Sequence, residues 1–381
     1  MIDPVEFIQA LEKKNIRFVS GVPDTILKNV CACFTDRLPA ERHIIATNEG
    51  SAVGLAIGHY LATGHPGLVY MQNAGLGNVV NPLASLADPQ VYGIPMVLMI
   101  GWRGEILIDG RQINDEPQHV KQGRITLPQL EIMEIPYRVA DEITTAIEPI
   151  LEELVGEALR RSGPVALVVR KGTFSPYQQL KPAAGGSKRL SREDAIKTII
   201  DSLPDTVPIV STTGKASREL YELRKASGNG HSRDFLTVGG MGYAGQIAAG
   251  IAHAKPGMQV VCLDGDGAIL MHMGSLAISA DCPNLLHIVL NNAAHDSVGG
   301  QPTKGASLDF ARIAGDCGYT HTARAESAME IVTNIRSMLG SGGSSFLEIR
   351  CNLGARADLG RPDRSPQENK RDFMEFLEGK K

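Results

Sequence analysis

The chain has 381 residues, of which 43% are apolar, 21% charged and 5% aromatic. Its 38 basic and 42 acidic residues give a formal net charge of −4, so nucleic acid is not an expected partner. No apolar run approaches the roughly 20 residues of a membrane helix, and the N-terminus lacks the apolar stretch of a signal peptide. Six cysteines without a C-x-x-C pair fit reduced thiols. We therefore expect a cytoplasmic protein without a membrane partner.

Short β-branched runs alternate with helix-length segments along the whole chain. In the first part, strands are predicted at 16–20, 43–47, 67–71, 95–100, 137–140 and 165–170. Helices are predicted between most of them, among them 49–63 and 143–162. In the second part, strands are predicted at 208–211, 235–238, 258–264, 285–291, 318–322 and 344–350. Apolar strands that alternate with helices indicate an α/β fold, with mostly parallel sheets covered by helices on both faces.

A Pro-, Gly- and Ser-rich segment, 174–194, separates the two parts and has no apolar periodicity. Such a composition is typical of a linker. Six strand candidates lie on each side of it. The sequence therefore predicts two α/β domains of similar size, 1–173 and 195–381.

A glycine motif in the second domain is open to two interpretations. Residues 240–245 read G-M-G-Y-A-G, between a predicted strand and a predicted helix, and Asp264 ends the next strand. This matches the dinucleotide-binding pattern and favours an NAD(P)-dependent oxidoreductase. Any glycine-rich turn between a strand and a helix can produce the same pattern, so this interpretation is kept as an alternative.

The residues that follow indicate a different ligand. Gly265-Asp266-Gly267 comes directly after one predicted strand, and Asn291-Asn292 ends the next. Carboxylate and amide oxygens are ligands that Mg²⁺ prefers, and small residues let backbone N–H groups approach phosphates. Because parallel strands bring their carboxyl ends to one sheet edge, these residues predict a metal–diphosphate site.

This pair of motifs resembles the thiamine-diphosphate enzymes. The resemblance implies that Asp266 and Asn292 bind Mg²⁺ through their side chains and Ala294 through its carbonyl, with Gly265 and Gly267 beside the diphosphate. It also implies that Met241 supports the bent cofactor and that the carbonyl of Gly239 accepts from its amino group. The domains 1–173 and 195–381 would then bind the pyrimidine and the diphosphate, respectively.

The resemblance also implies a glutamic acid that hydrogen-bonds the pyrimidine nitrogen. Glu49 follows the predicted strand 43–47 and opens a helix of small residues, as this role requires. A glutamate in a first helical turn is otherwise a routine partner of the helix dipole. In related enzymes this acid and the diphosphate site of one cofactor come from different subunits. We therefore expect a homodimer or homotetramer with active sites at the subunit interface.

Further segments resemble the phosphonopyruvate decarboxylase family, with the sulfopyruvate decarboxylases as near neighbours. They are Gly21–Thr25, Met71–Asn78, Gly101–Glu105, Asp115–His119, Asn291–Thr303 and Asp358–Pro362. This chain departs from the family's pattern at Ala74, where serine is expected, and at Ala293, where glycine is often expected. The implied activity is the non-oxidative decarboxylation of a small 2-oxoacid, 3-phosphonopyruvate or sulfopyruvate. A chain of 381 residues has room for the two cofactor domains but not for the middle domain of longer 2-oxoacid decarboxylases. A non-catalytic relative is a further alternative, which an intact set of Glu49, Asp266 and Asn292 disfavours.

The reaction also needs a proton donor and cationic groups that bind the substrate. By the resemblance, Asp24 is a candidate donor, although it could equally cap the following helix. His119 and His295 are candidates as imidazoles in polar loops, where simple solvation is the alternative. The cationic candidates for the acidic substrate are Arg103, Lys121 and Lys304, followed by Arg356 and Arg361, and surface solvation is the alternative for each.

Overall fold

The computed structural model describes residues 1–107, 109–180 and 189–379. The chain forms two compact units, Met1–Pro182 and Ala183–Lys381. Residues 181–188 of the predicted linker lie outside the described residues. Its described ends contact their own units: Phe174 is buried against Phe7, with ring centroids 5.2 Å apart, and Ser191 caps the first helix of the second unit.

All twelve predicted strands are present among the described residues. They are β1 (Val19–Gly21), β2 (His43–Ile45), β3 (Gly67–Gln72), β4 (Met96–Gly101), β5 (Tyr137–Ala140), β6 (Pro164–Val169), β7 (Ile209–Ser211), β8 (Asp234–Leu236), β9 (Val260–Gly265), β10 (Leu285–Asn291), β11 (His321–Ala325) and β12 (Ser345–Arg350). Strand β11 lies later than the predicted 318–322. Gly318 has a φ of 106° and Tyr319 is buried in the core, so regular pairing begins only after them.

Each unit contains one six-stranded, all-parallel sheet, and the two sheets have the same topology. The strand order is β2-β1-β3-β4-β6-β5 in the first unit and β11-β12-β10-β9-β7-β8 in the second. Numbered within its unit and read from the opposite edge, the second order is also 2-1-3-4-6-5. In both sheets the chain changes direction between the first and third strands, where α/β folds bind ligands at the carboxyl ends.

The helices connect the strands and cover both faces of each sheet, as predicted. They are α1 (Pro4–Lys13), α2 (Lys28–Arg37), α3 (Glu49–Thr63), α4 (Leu76–Pro82), α5 (Pro117–Ile132), α6 (Glu148–Arg161), α7 (Arg192–Ser202), α8 (Lys215–Ser227), α9 (Ala244–Ala254), α10 (Asp266–Met271), α11 (Leu276–Ser279), α12 (Phe310–Asp316), α13 (Ala328–Gly340) and α14 (Pro366–Leu377). Helix α3 has the predicted bounds, whereas α6 begins later than residue 143. The Asp141 side chain accepts hydrogen bonds from Thr144, and this turn delays the helix.

Alternate residues of the central strands fill two cores on opposite faces of the sheet. In β4, Val97 and Met99 join the cluster under α1, α2 and α6, whereas Met96, Leu98 and Ile100 join the cluster under α3 and α4. All five side chains are fully buried. This two-sided burial accounts for the continuous apolar runs of the central strands.

We expect Gly21→Ala to destabilise the first unit strongly. A Cβ at residue 21 would lie 2.0 Å from the Tyr70 carbonyl oxygen, which is backbone of the neighbouring strand β3 and cannot swing away. The expected loss is ~3 kcal/mol, at the upper end of overpacking costs. Chemical denaturation measures it, with Gly156→Ala in open space on α6 as the control. The control should gain about 0.5–1 kcal/mol in helix propensity, and equal stabilities for the two variants would contradict the geometry.

Candidate active site

The predicted site residues of the first unit follow strands at the carboxyl edge of the sheet. Asp24 follows β1, Glu49 follows β2, and Arg103 follows β4. Gln72 is the last residue of β3. The topology alone therefore brings these side chains to one edge.

Glu49 is held in a defined orientation at the start of α3. It is the first residue of the helix, after an N-cap in which the Asn48 side chain accepts from Ser51 N–H at 2.8 Å. Its side chain is 6% exposed, and Oε2 accepts a 2.7 Å hydrogen bond from Asn78 Nδ2. Among the described residues none donates to Oε1. A buried carboxyl with one oxygen fixed and the other without a protein donor fits the role of partner to a ring nitrogen.

Gly75 leaves the space that the Glu49 side chain occupies. A Cβ at residue 75 would lie 2.6 Å from both Cγ and Oε1 of Glu49. We expect Gly75→Ala to displace the carboxyl and to lower kcat by about 100-fold, the cost of a misplaced catalytic group. Steady-state kinetics measures the change. Gly156→Ala, in open space on α6, is the control, and a parental kcat in Gly75→Ala as well as in the control would contradict this assignment.

In the second unit, Asp266 opens α10 directly after β9. Its carboxylate is 3% exposed and accepts from the Thr303 hydroxyl. Burial raises the pKa of Asp266 to about 6, although hydrogen bonds from Thr303 and from the backbone of Asn292 and Gly267 oppose the rise. The carboxylate is thus desolvated without a cationic side chain beside it, which fits a ligand of a hard cation.

The two asparagines at the end of β10 have different positions. Asn291 is buried, and its Nδ2 donates to Gly305 O at 2.9 Å and to Glu348 at 2.8 Å, so it supports the loop. Asn292 is partly exposed, and its Oδ1 accepts from Ala294 N–H at 3.2 Å. Ala293, the next residue after Asn292, has a φ of 59°, in the left-handed region that glycine adopts most easily. This conformation explains why glycine is expected there.

The loop after Asn292 brings further predicted residues to the Gly-Asp-Gly turn. A Cβ at Gly267 would lie 3.2 Å from the His295 ring and 3.5 Å from the Met241 methyl group, so both side chains pack over this glycine. Burial lowers the pKa of His295 to about 4. The Ala294 carbonyl accepts from Asp296 N–H at 2.9 Å and keeps its second lone pair.

The loop after β10 therefore lies against Asp266, which accepts from the Thr303 hydroxyl and from the Asn292 backbone. The predicted ligands Asp266, Asn292 and the Ala294 carbonyl offer hard oxygen donors in this region, beside Gly265 and Gly267. This arrangement fits a Mg²⁺–diphosphate group. Gly239 and Met241 precede α9, in a turn where Gly240 and Gly242 have φ values of 64° and 92°.

The glycine motif does not have the acidic partner that dinucleotide binding requires. Asp264 is 1% exposed and lies in the core, where Oδ2 is 3.4 Å from His287 Nε2 and Oδ1 accepts from Gly265 N–H at 2.9 Å. It is therefore not presented to a ribose, which disfavours the NAD(P) interpretation.

Asp24 is fully buried beside the end of β3. It accepts from Gln72 Nε2 at 2.7 Å and from Ile26 N–H at 2.8 Å. Burial raises the pKa of Asp24, despite these donors and the nearby Arg103 charge. The N-cap of α2 is Leu27, so Asp24 closes the preceding turn and does not cap the helix. A raised pKa favours a carboxyl that can carry a proton.

The position expected for His119 is wrong, because this residue lies in a helix and not in a polar loop. Pro117 starts α5, and His119 is 5% exposed in its first turn. Proline is favoured at the first helical position, which accounts for the start of α5 at Pro117. His295 does lie in a loop, between β10 and Lys304.

The cationic candidates differ in their partners. Arg103 donates to both oxygens of Asp115, at 2.7 and 2.5 Å, and to the Thr25 hydroxyl at 2.8 Å. Arg356 forms ion pairs with Glu193, Glu222 and Asp358. These pairs indicate a structural role for Arg356. The other three candidates are exposed: Lys121, Lys304 and Arg361. Among the described residues, neither lysine forms an ion pair.

Sequence reasoning missed several residues of these clusters. They are Gln72, Gly75, Asn78, Asp115 and Thr303. Each lies in a segment that carries the family resemblance, but the direction of a side chain cannot be obtained from spacing. Asn78, for example, reaches Glu49 across 29 positions of the chain.

Comparison with known proteins identifies the class of both units. The thiamine pyrophosphate enzyme N-terminal TPP binding domain matches residues 6–129, and the C-terminal TPP binding domain matches residues 212–349. The phosphonopyruvate decarboxylases of Streptomyces viridochromogenes and Streptomyces hygroscopicus are each 32% identical over 99% of the chain, and 95% and 94% of those proteins are covered. The sulfopyruvate decarboxylase of Methanosarcina acetivorans is 29% identical over 100% of the chain and 99% of its own length.

The chain therefore belongs to the thiamine pyrophosphate enzymes, in the phosphonopyruvate decarboxylase family. The predictions of thiamine diphosphate as cofactor, of a decarboxylase that is a carbon–carbon lyase, and of two cofactor-binding domains are confirmed. The roles of the individual residues stay predictions.

Proposed function

We propose that the protein decarboxylates 3-phosphonopyruvate to phosphonoacetaldehyde and CO₂, with thiamine diphosphate and Mg²⁺. The observation that carries this proposal is the similarity over almost the whole chain to two relatives that bear this activity in their names. The buried, desolvated carboxyl of Asp266 supports the Mg²⁺ requirement. The hydrogen bond from Asn78 that orients Glu49 supports its role in cofactor activation.

Thiamine diphosphate, when bound, supplies the electron sink that the loss of CO₂ needs. Glu49 would hydrogen-bond the pyrimidine ring, and Asn78 holds its carboxyl through the hydrogen bond to Oε2. Asp266, Asn292 and the Ala294 carbonyl would bind the metal. Met241 and Gly239 would fix the cofactor's conformation.

Asp24, His119 and His295 are the groups proposed to move the proton that replaces CO₂ on the product. Asp24 has the support of its raised pKa, which lets a carboxyl carry a proton closer to neutral pH. At least one of Arg103, Lys121 and Lys304 would bind the phosphonate. Pairing with Asp115 orients Arg103 for this purpose, and the exposure of the two lysines leaves them accessible.

Sulfopyruvate decarboxylation is the second candidate, since a relative with that name matches the chain over its full length. The test compares kcat/KM for phosphonopyruvate, sulfopyruvate and pyruvate in the presence of thiamine diphosphate and Mg²⁺. We expect phosphonopyruvate to be preferred by at least tenfold, or about 1.4 kcal/mol in transition-state binding. A preference for sulfopyruvate would reassign the substrate, and preference for pyruvate would contradict the proposal.

We propose that the active enzyme is a homodimer or homotetramer with active sites at the subunit interface. Helix α3, which begins at Glu49, leaves Leu55 and Leu61 38% and 71% exposed, and Val80 of α4 is 39% exposed. An apolar surface next to a catalytic group favours its burial against a second copy. Sedimentation of a fully active monomer would contradict this.

A cytoplasmic location is part of the same proposal. Its support is that all six cysteines are unpaired, five of them buried. None of the helices in the described part of the chain has the length and apolar character needed to cross a bilayer.

A further inference from the structure

The strongest unassigned feature is a carboxylate in the first unit that collects donors from several directions. Asp115 lies between β4 and α5, two residues before Pro117. Its oxygens accept from Arg103 Nε and Nη2 at 2.7 and 2.5 Å, from Gly104 N–H at 3.1 Å and from Glu116 N–H at 2.8 Å. Burial alone would raise the pKa of Asp115, but these donors outweigh it and keep the pKa well below its usual range. These donors therefore favour the charged carboxylate.

Asp115 fixes Arg103 in one orientation. Nε and Nη2 bind the carboxylate as a fork, and Nη1 donates to Thr25 at 2.8 Å, next to Asp24. The Arg103 backbone is held as well, because its N–H and C=O both bind the buried Asn73 side chain, at 3.1 and 3.0 Å. A guanidinium held in this way has a fixed orientation before any substrate binds.

His119 also lies near this carboxylate. Nδ1 of its imidazole is 3.1 Å from Asp115 Oδ1, but the two groups are not aligned for a hydrogen bond, and Nδ1 is buried without a hydrogen-bond partner among the described residues. Arg103 is therefore the group that this carboxylate orients.

We infer that Asp115 is a positioning residue of the decarboxylation site, which holds the Arg103 guanidinium in one orientation through a two-hydrogen-bond fork. The inference rests on the proposed function, because it assigns Arg103 to the acidic substrate. The simpler alternative is that Asp115 only closes the turn before α5, through the N–H groups of Gly104 and Glu116.

Asp115→Asn removes the Arg103 fork and keeps one of the two backbone hydrogen bonds, because Gly104 and Glu116 donate to different oxygens and the amide has only one. We expect kcat to fall by about 100-fold, the effect of a small misplacement of catalytic groups. Asp109→Asn is the matched control, because it removes an exposed aspartate–arginine pair, Asp109 with Arg111 at 2.7 Å. Its kcat and KM should stay within about twofold of the parent, as surface pairs contribute little.

A double-mutant cycle with Arg103→Gln tests whether Asp115 acts through the guanidinium. If it does, kcat of the double variant should be no more than about twofold below that of the less active single variant. Multiplicative losses, or a parental kcat in Asp115→Asn, would overturn the inference. If the asparagine variant does not fold, Asp115→Glu gives the same test, since it keeps the charge but shifts it by one methylene, and we expect at least about tenfold loss.

The emission of the single tryptophan gives a measurement that does not depend on turnover. Trp102 is 3% exposed, precedes Arg103 and donates to Gly123 O at 2.9 Å. Asp115→Asn should shift its emission to longer wavelength, whereas Asp109→Asn should not. A parent protein that is inactive with every 2-oxoacid would contradict the proposed function. An unchanged Trp102 emission spectrum in Asp115→Asn would contradict the anchoring role of Asp115, whatever the activity.

Discussion

Glu49→Gln is expected to lower the rate of decarboxylation by about 1,000-fold while leaving the fold and cofactor binding intact. Glutamine keeps the size of the side chain and can still accept from Asn78, which lies 2.7 Å from Oε2. It cannot give a proton to a ring nitrogen, and the loss is in the range of general acid–base contributions. Measurement requires single-turnover CO₂ release and a thiamine diphosphate titration of the apo-protein.

Glu148→Gln is the control for this experiment. Glu148 is also the first residue of a helix, α6, but it is exposed and pairs with Lys13 at the surface. Its substitution should change the rate by less than about twofold. A parental rate in Glu49→Gln would refute the activation role, and equal losses in both variants would show an effect of the helix terminus only.

Asp266→Asn is expected to raise the half-saturating Mg²⁺ concentration by more than about 100-fold, beyond the effect of losing an outer-shell partner. The amide keeps an acceptor for the Thr303 hydroxyl, so the loop after β10 should stay in place. Because the carboxylate is buried without a cationic side chain, its removal should leave the apo-protein at least as stable as the parent. Magnesium titration of cofactor binding and thermal denaturation of the apo-protein measure the two effects.

The matched control is Asp281→Asn, an exposed aspartate of the same unit. It should leave the Mg²⁺ requirement unchanged. If Asp266→Asn binds Mg²⁺ as the parent does, the metal ligands must be sought elsewhere. A large loss of apo-protein stability would instead indicate that Asp266 has mainly a structural role.

The fold could be predicted largely because its determinants are local. Continuous apolar runs predicted the strands, which are buried on both faces of the sheets. The small residues after Glu49 predicted α3 with its observed bounds. Strand bounds were less predictable where a buried aromatic residue and a left-handed glycine delayed pairing, as at Tyr319 and Gly318. The common 2-1-3-4-6-5 order of both sheets has no counterpart in a residue-level repeat, so only the structure reveals it.

The candidate site was predictable to the extent that it lies at strand ends. Asp266 and Asn292 follow strands directly and Glu49 comes shortly after β2, so the topology alone brings them to the ligand-binding edge of their own sheets. The supporting contacts depend on side-chain direction over long sequence separations. The contact of Asp115 with Arg103, and that of Thr303 with Asp266 across 37 positions, could not be obtained from spacing.

Phosphorus NMR of phosphonopyruvate turnover tests the central claim most directly. With the purified protein, thiamine diphosphate and Mg²⁺, we expect the substrate signal to be replaced by that of phosphonoacetaldehyde, with one CO₂ released per substrate. Omission of either cofactor or the Glu49→Gln substitution should abolish the conversion on the same timescale. An unchanged phosphonopyruvate signal with the complete mixture, or equal conversion without thiamine diphosphate, would contradict the proposed function.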